Sequence, residues 1–208
     1  MTGPPNSIFK EEEDGTCRVY PCKPVIDAEK VRLRPLQAAD VPDIKTWTTD
    51  ISVYTYWGKD PGKTDRNPEL LFERSPKLVK SFRLGIEEKR SGRLIGEVWV
   101  YRIEKKRMAS VAIRLAAAWQ GKGYGTEALL QMTLFCFRNT ELQRLWAEVD
   151  VRNIASQRML EKCGYIKEGV IRQGRMVNPW CDYCIYGILA SDMTEKTPQD
   201  HRLAETRV

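Results

Sequence analysis

Histidine is almost absent from this chain: His201 is the only one in 208 residues, and it lies in a polar C-terminal stretch. No segment approaches the roughly 20 consecutive apolar residues that a membrane span requires. The opening Met1-Thr2-Gly3-Pro4-Pro5-Asn6 lacks the basic and apolar regions of a secretory signal, so a cytoplasmic protein is expected. Neither an internal repeat nor a linker sets off a second domain. An RNA-recognition signature and a dense basic run are also missing, so nucleic acid is not an expected partner. The formal net charge of +6 is compatible with a polyanionic ligand and disfavours a polycationic substrate.

A length of 208 residues, with 42% hydrophobic side chains, suits one globular domain with short extensions. Residues 31–190 are expected to form it, between an N-terminal extension (1–30) and a polar tail (191–208). Within the extension, Lys10-Glu11-Glu12-Glu13-Asp14-Gly15 reads as a charged turn, and residues 17–25 as a short extended arm. Cys136 and Cys163 fall on helix faces and read as small core residues. Trp180-Cys181-Asp182-Tyr183-Cys184 mimics a redox C-x-x-C. A low-pKa thiolate needs a helix N-terminus, however, and the pattern through Leu189 is that of a strand, where residues three apart face opposite sides. Zinc held by this pair with Cys17 and Cys22 would have unequal spacings and no histidine support, so no metal is expected.

The most informative stretch is Trp119-Gln120-Gly121-Lys122-Gly123-Tyr124-Gly125-Thr126-Glu127-Ala128. Residues 111–118 read as a strand, and Ala128, Leu129, Met132, Phe135 and Cys136 recur at helical spacing, so three alternating glycines sit at a strand-to-helix junction. Glycine reaches backbone angles closed to other residues, and the first helical turn offers unpaired N–H donors and the positive end of its dipole. A pyrophosphate fits such a cradle. The plainer alternative is a glycine-rich turn with no ligand. The dinucleotide pattern G-x-G-x-x-G is not met, and a Walker loop needs a hydroxyl where Gly123 follows Lys122. Gly58-Lys59-Asp60-Pro61-Gly62-Lys63-Thr64 misses the Walker spacing by one residue, and Pro61 removes a main-chain donor.

A second pattern follows the strand-like residues 145–151. Asn153 can cap a helix running towards Cys163, and Gly164 can close it in the left-handed conformation. Gln120, Gly123 and Gly125 fill [Q/R]-x-x-G-x-[G/A], and Asn153 to Tyr165 fill N-x-x-S-x-x-x-x-E-K-x-G-[F/Y]. In this order the two motifs resemble the GNAT N-acetyltransferase superfamily, in particular its ribosomal-protein alanine N-acetyltransferase-like branch. The resemblance runs from near Val31 to about Leu189: Val31-Arg32-Leu33-Arg34-Pro35 is similar to the first strand, Asp40 and Pro42 stand where the first helix begins, and residues 94–101, 110–115 and 180–189 are similar to later strands.

The resemblance implies a single-domain α/β fold, a twisted, mixed, mostly antiparallel sheet with helices on both faces. It implies acetyl transfer from acetyl-CoA to a primary amine, most readily a protein N-terminal α-amine. The alternatives are a polyamine or antibiotic acceptor, or a non-catalytic acyl-CoA-binding module. Homodimer formation stays open. Cofactor contacts implied are Ile113, Arg114 and Leu115 through main chain to pantetheine, residues Gln120, Gly121, Lys122, Gly123, Tyr124, Gly125 and Thr126 to the pyrophosphate, and Asn153 and Ser156 near the thioester. Many members carry a tyrosine acid where this chain has Leu160, so the resemblance gives the acid's role to Ser156, as in the ribosomal-protein branch. Glu97, Glu148, Asp150 and Asp182 are the candidate bases. Glu97 is preferred, with an ordered water as the alternative. Tyr54-Thr55-Tyr56-Trp57 lies where the superfamily borders its acceptor site, and its aromatics suit either a pocket wall or the core.

Overall fold

The structure is a computed structural model that describes residues 9–11, 17–19, 24–57, 81–104, 107–176, 180–195 and 206–207. The strands are β1 (Phe9–Glu11), β2 (Cys17–Val19), β3 (Val25–Asp27), β4 (Val31–Arg34), β5 (Ser81–Glu88), β6 (Leu94–Glu104), β7 (Met108–Leu115), β8 (Arg144–Asp150), β9 (Ile166–Met176), β10 (Trp180–Leu189) and β11 (Thr206–Arg207). The α-helices are α1 (Val41–Thr48), α2 (Tyr124–Asn139), α3 (Ile154–Lys162) and α4 (Ala190–Glu195). Strands β1 and β2 form a separate hairpin, and the others form one sheet in the order β11-β3-β4-β5-β6-β7-β8-β10-β9. Every pairing in that sheet is antiparallel except β7 with β8.

Helices cover both faces because β6 alternates. Val98 and Val100 pack with Ala128, Leu129, Met132, Phe135 and Cys136 of α2, the five residues that share a helical face in the sequence. On the other face Glu97 and Trp99 meet residues around α1, whose Ile44 and Trp47 are fully buried with Leu94. Desolvation pushes the Cys136 thiol up and that of Cys163 up to about 12, so both behave as small core residues. Cys181 and Cys184 are buried thiols on strand β10, not joined in a disulfide.

Several boundaries differ from the sequence reading. The strand before the glycines ends at Leu115, and Ala117–Trp119 forms a 3₁₀ turn. Residues 25–27 and 206–207, assigned to the extension and the tail, pair with each other at the sheet edge, and residues 190–195 are helical. Strands of two or three residues are too short for periodicity to register. Asp40 does occupy the start of α1, but its carboxylate accepts from both Arg34 Nη atoms at 2.8 Å and from the Gln37 N–H at 2.7 Å rather than from the helix. These bonds, with Glu87, raise the Arg34 pKa. The Gly58–Thr64 near-Walker stretch, Cys22 and His201 lie outside the described residues.

Candidate active site

Strands β7 and β8 pair at Met108↔Arg144, Ala109↔Leu145 and Ser110↔Trp146, and then part. Beyond that point β7 stays with β6 as far as Leu115, and β8 with β10 as far as Asp150, so the inner edges of both strands face a wedge. An unpaired strand edge presents main-chain donors and acceptors to whatever fills the gap. The wedge holds two lobes. One, of about 450 Å³, is lined by Ile113, Arg114, Leu115, the glycine junction and α3. The other, of about 370 Å³, is lined by Trp99, Tyr101, Arg102, Glu148 and Asp150 among others. Six residues belong to both: Tyr56, Trp57, Ile113, Asn153, Ser156 and Met159.

The glycine junction has the geometry of a phosphate cradle. Gly121 has φ +73° and Gly123, the N-cap of α2, has φ +88°, both in the left-handed region. A Cβ on Gly121 would meet nothing within 4 Å, so the outer side of the loop is open. The first helical bond runs from the Glu127 N–H to the Gly123 carbonyl at 3.1 Å, which leaves the earlier N–H groups of the turn without helical partners. Gly125 is packed instead: a Cβ there would lie 3.1 Å from Leu115 Cδ1 and 3.2 Å from Met159 Sδ. The loop is tied to the sheet by the Lys30 main-chain N–H, which donates to Glu127 Oε1 at 2.9 Å. Main-chain donors at a positive helix end suit the diphosphate of coenzyme A.

At the junction of the lobes, Asn153 Oδ1 accepts from the Ser156 N–H at 3.0 Å and so caps α3. Gly164 closes the segment with φ +89°. Leu160 also lines the second lobe, so the position of the family's tyrosine carries no hydroxyl here.

Of the cofactor contacts read from sequence, Ile113, Arg114, Leu115, Gln120, Gly121, Gly123, Gly125, Thr126, Asn153 and Ser156 line the first lobe. Lys122 and Tyr124 do not. Lys122 Nζ donates to the Ala118 carbonyl at 2.8 Å beside the Trp119 ring, and Tyr124 packs edge-on against the same ring. The Gln120 amide turns back on the Leu115 carbonyl at 3.0 Å. The Arg114 side chain runs to the opposite face, where Nη1 donates to Tyr54 Oη at 2.6 Å and the guanidinium stacks over Trp47.

Glu97 requires a correction. It is fully buried, lines neither lobe, and accepts from Arg83 Nη1 at 2.7 Å and Arg114 Nη2 at 2.5 Å. An acid shut away from the wedge and engaged by two guanidiniums cannot reach an acceptor amine there. Glu97 shares its strand face with Trp99 and Tyr101, which do line the second lobe, but two residues earlier on β6 the carboxylate is enclosed by Arg83 and Arg114. Asp150 and Glu148 of β8 do line the second lobe. The Arg152 side chain grips both Asp150 oxygens and holds that carboxyl below the usual range. Glu148 Oε1 accepts from Arg102 Nη1 at 3.1 Å. Asp182 lies outside both lobes and accepts from the Gln173 N–H at 2.8 Å.

The aromatic segment divides between its two readings. Tyr54 is core, whereas Tyr56 and Trp57 line both lobes, with Trp57 packed on Trp99 at 5.2 Å between centroids. Arg158, Met159 and Lys162 also line the first lobe and escaped the sequence reading. The four-residue spacing of Arg158 and Lys162 on a capped helix was the available signal. Among the described residues no helix is long and apolar enough to cross a membrane, and no cluster of three or more metal-ligating acids, cysteines or histidines is found.

The acetyltransferase (GNAT) domain family matches residues 30–166. A probable N-acetyltransferase of Bacillus subtilis (strain 168) is 34% identical over 116 residues, covering 54% of this chain and 64%, just under two thirds, of that relative. The crystal structure of spermidine N-acetyltransferase from Vibrio cholerae in complex with CoA and spermine has a TM-score of 0.71 at 24% identity, covering 79% of this chain and 98% of that one. Ribosomal-protein-S5-alanine acetyltransferase from Vibrio fischeri has a TM-score of 0.64 at 21% identity, covering 81% and 97%. At these identities the structural likeness speaks for the fold. With the family match across the glycine junction and the capped helix, the chain belongs to the acetyltransferase (GNAT) domain family.

Proposed function

We propose that this chain transfers the acetyl group of acetyl-CoA to a protein N-terminal α-amine, with Ser156 as the acid at the departing thiolate and Asn153 as an orienting contact. The observation that carries this reading is the meeting of the two lobes at Asn153, Ser156 and Ile113. A thioester whose diphosphate sits on the glycine junction reaches an amine in the second lobe through this shared boundary, which Tyr56, Trp57 and Met159 complete. The amine nitrogen attacks the carbonyl carbon, the carbon–sulfur bond breaks, and Ser156 Oγ donates to the sulfur as negative charge develops on it. Glu148, directly or through water, is the acid in the second lobe best placed to take the amine's proton, since Arg152 already grips both oxygens of Asp150.

The acceptor class follows from charge. An α-amine with a pKa near 7.8 is about one-tenth neutral at pH 7, whereas a lysine near 10.4 is neutral in fewer than about one molecule in a thousand. A strong base is then dispensable. A polyamine is the second reading, favoured by the Trp57–Trp99 pair in the wall of the second lobe, although each ring already carries a guanidinium, Arg114 on Trp57 and Arg83 on Trp99. Against it, each acid of the lobe is matched by an arginine, Glu148 by Arg102 and Asp150 by Arg152, which leaves little net charge to attract a polycation. The test is an acetylation screen of peptide N-termini, lysine side chains, polyamines and aminoglycosides, read by release of coenzyme A thiol. Turnover highest on peptide N-termini is the expected result. Turnover confined to polyamines would transfer the assignment to the second reading, and binding of acetyl-CoA without turnover on any amine would make the chain a sensor.

A further inference from the structure

Arg102 is one of two described non-glycine residues with positive φ, at +50°. It sits where the β6–β7 register slips between Tyr101 and Glu104. Such a bulge turns a side chain away from its regular direction, and a left-handed arginine is a strained residue held in place by its surroundings. The redirected guanidinium lies 5.5 Å from the Tyr101 ring centroid and 5.6 Å from that of Trp146, and Nη1 donates to Glu148 Oε1 at 3.1 Å. Arg102 and Glu148 both line the second lobe, and Arg102 remains half-exposed. Packing with Tyr101 and Trp146 orients the guanidinium plane, which has more donors than this one contact uses.

We infer that Arg102 and Glu148 together read the dipolar main chain of a peptide's first residue, Glu148 accepting from its amine while Arg102 donates to its carbonyl oxygen. The inference rests on the peptide reading above and names the feature that selects it. Within one residue, the amine nitrogen and carbonyl oxygen are joined through N–Cα–C=O and stand roughly 3 Å apart. The donor and acceptor of the Arg102–Glu148 pair are spaced to match. A polyamine or simple monoamine has no carbonyl oxygen, and the lone pair of its attacking nitrogen is committed to the thioester, so it leaves the arginine unanswered. Arg102 is thus a specificity-determining residue, and the acceptor class is an α-amino amide rather than any primary amine.

The test compares Ala-Ala-Ala-amide with 2,2-difluoroethylamine, a weakly basic monoamine with no carbonyl, in the wild type and in Arg102→Met and Arg102→Lys. Arg102→Met should raise the peptide KM at least about tenfold, the loss expected for a hydrogen bond to a charged donor, with a smaller change in kcat. Its kcat/KM on the monoamine should move far less, and Arg102→Lys should restore part of the peptide KM. Arg102→Gly, which accepts positive φ without strain, repeats the measurement in a relaxed backbone. An unchanged peptide KM in Arg102→Met, or an equal fall on both amines, overturns the inference and leaves the peptide assignment standing. A wild type that acetylates the monoamine or a polyamine but not the peptide overturns both.

Discussion

Arg114 Nη2 stands 2.5 Å from Glu97 Oε1, and neither side chain is more than 4% exposed. The other Glu97 oxygen takes Arg83, while Arg114 also donates to Tyr54 and stacks over Trp47 and Trp57. The carboxylate therefore joins β5, β6 and β7 to the segment that supplies Tyr56 and Trp57 to both lobes. Removing one partner of a buried ion pair strands the other in a low-dielectric site, at about 3–5 kcal/mol. Glu97→Ala should lower the urea midpoint accordingly, and Glu97→Gln should leave the acid limb of the kcat/KM pH profile where it is in the wild type. A catalytic base would behave the other way, with stability kept and the limb lost.

The glycine junction can be dissected by position. Gly121→Ala puts a Cβ into open space but keeps a positive φ, so its cost is backbone strain alone, about 1–2 kcal/mol. Gly123→Asp adds a carboxylate to the same strain at the N-cap of α2, where a diphosphate would meet it. By calorimetry, coenzyme A should bind Gly123→Asp at least about tenfold more weakly than Gly121→Ala, because like charge opposes the helix-end attraction. Equal affinities would mean that the diphosphate does not lie on this turn.

The roles proposed for Ser156 and Asn153 can be tested separately. Ser156→Ala deletes one hydroxyl and leaves its main-chain N–H bonded to Asn153, so α3 keeps its cap. Its kcat should fall about 100-fold, the usual worth of general acid catalysis, with little change in the KM for acetyl-CoA. Asn153→Ala removes the cap and should cost about 1 kcal/mol of stability in addition to any loss of rate. Full turnover by Ser156→Ala with normal acetyl-CoA binding would remove the hydroxyl from the mechanism.

Local signals in the sequence reached the glycine-junction side of the wedge and stopped short of the second lobe. Gly121, Gly123 and Gly164 declare themselves because each takes a backbone conformation that other residues avoid. Asn153 and the apolar face of α2 follow from capping and helical spacing. By contrast, β5 and β9 were not anticipated, and β9 is an edge strand exposed along most of its length, without the alternation that marks a half-buried one. The roles of Glu97 and Glu148 depend on which face of a twisted sheet each strand presents and on arginines far away in sequence, Arg83, Arg114 and Arg102. The redirected Arg102 depends on a register slip between two strands, which no single-strand pattern carries.

Acid should destabilise the protein partly through the wall of the second lobe. Hydrogen bonds from the Arg152 side chain come first among the causes that hold the Asp150 carboxyl below its ordinary range, opposed by desolvation. A carboxyl that binds protons less readily folded than unfolded contributes stability that is complete above the unfolded pKa, near 3.9. That stability is lost as the pH falls through the lower folded value. Wild-type urea midpoints should thus be steady above about pH 5 and decline below about pH 4. Asp150→Asn cannot titrate, so its midpoint should start lower at pH 7 and fall less steeply in acid. Because Asp150 sits at the end of β8 beside Asn153, whose N–H donates to its carbonyl at 2.9 Å, loss of the Arg152 clamp should also loosen the start of α3. Faster amide hydrogen exchange at residues 154–157 in Asp150→Asn at pH 7 is the expected signature, and unchanged exchange there would confine the effect of Asp150 to the strand.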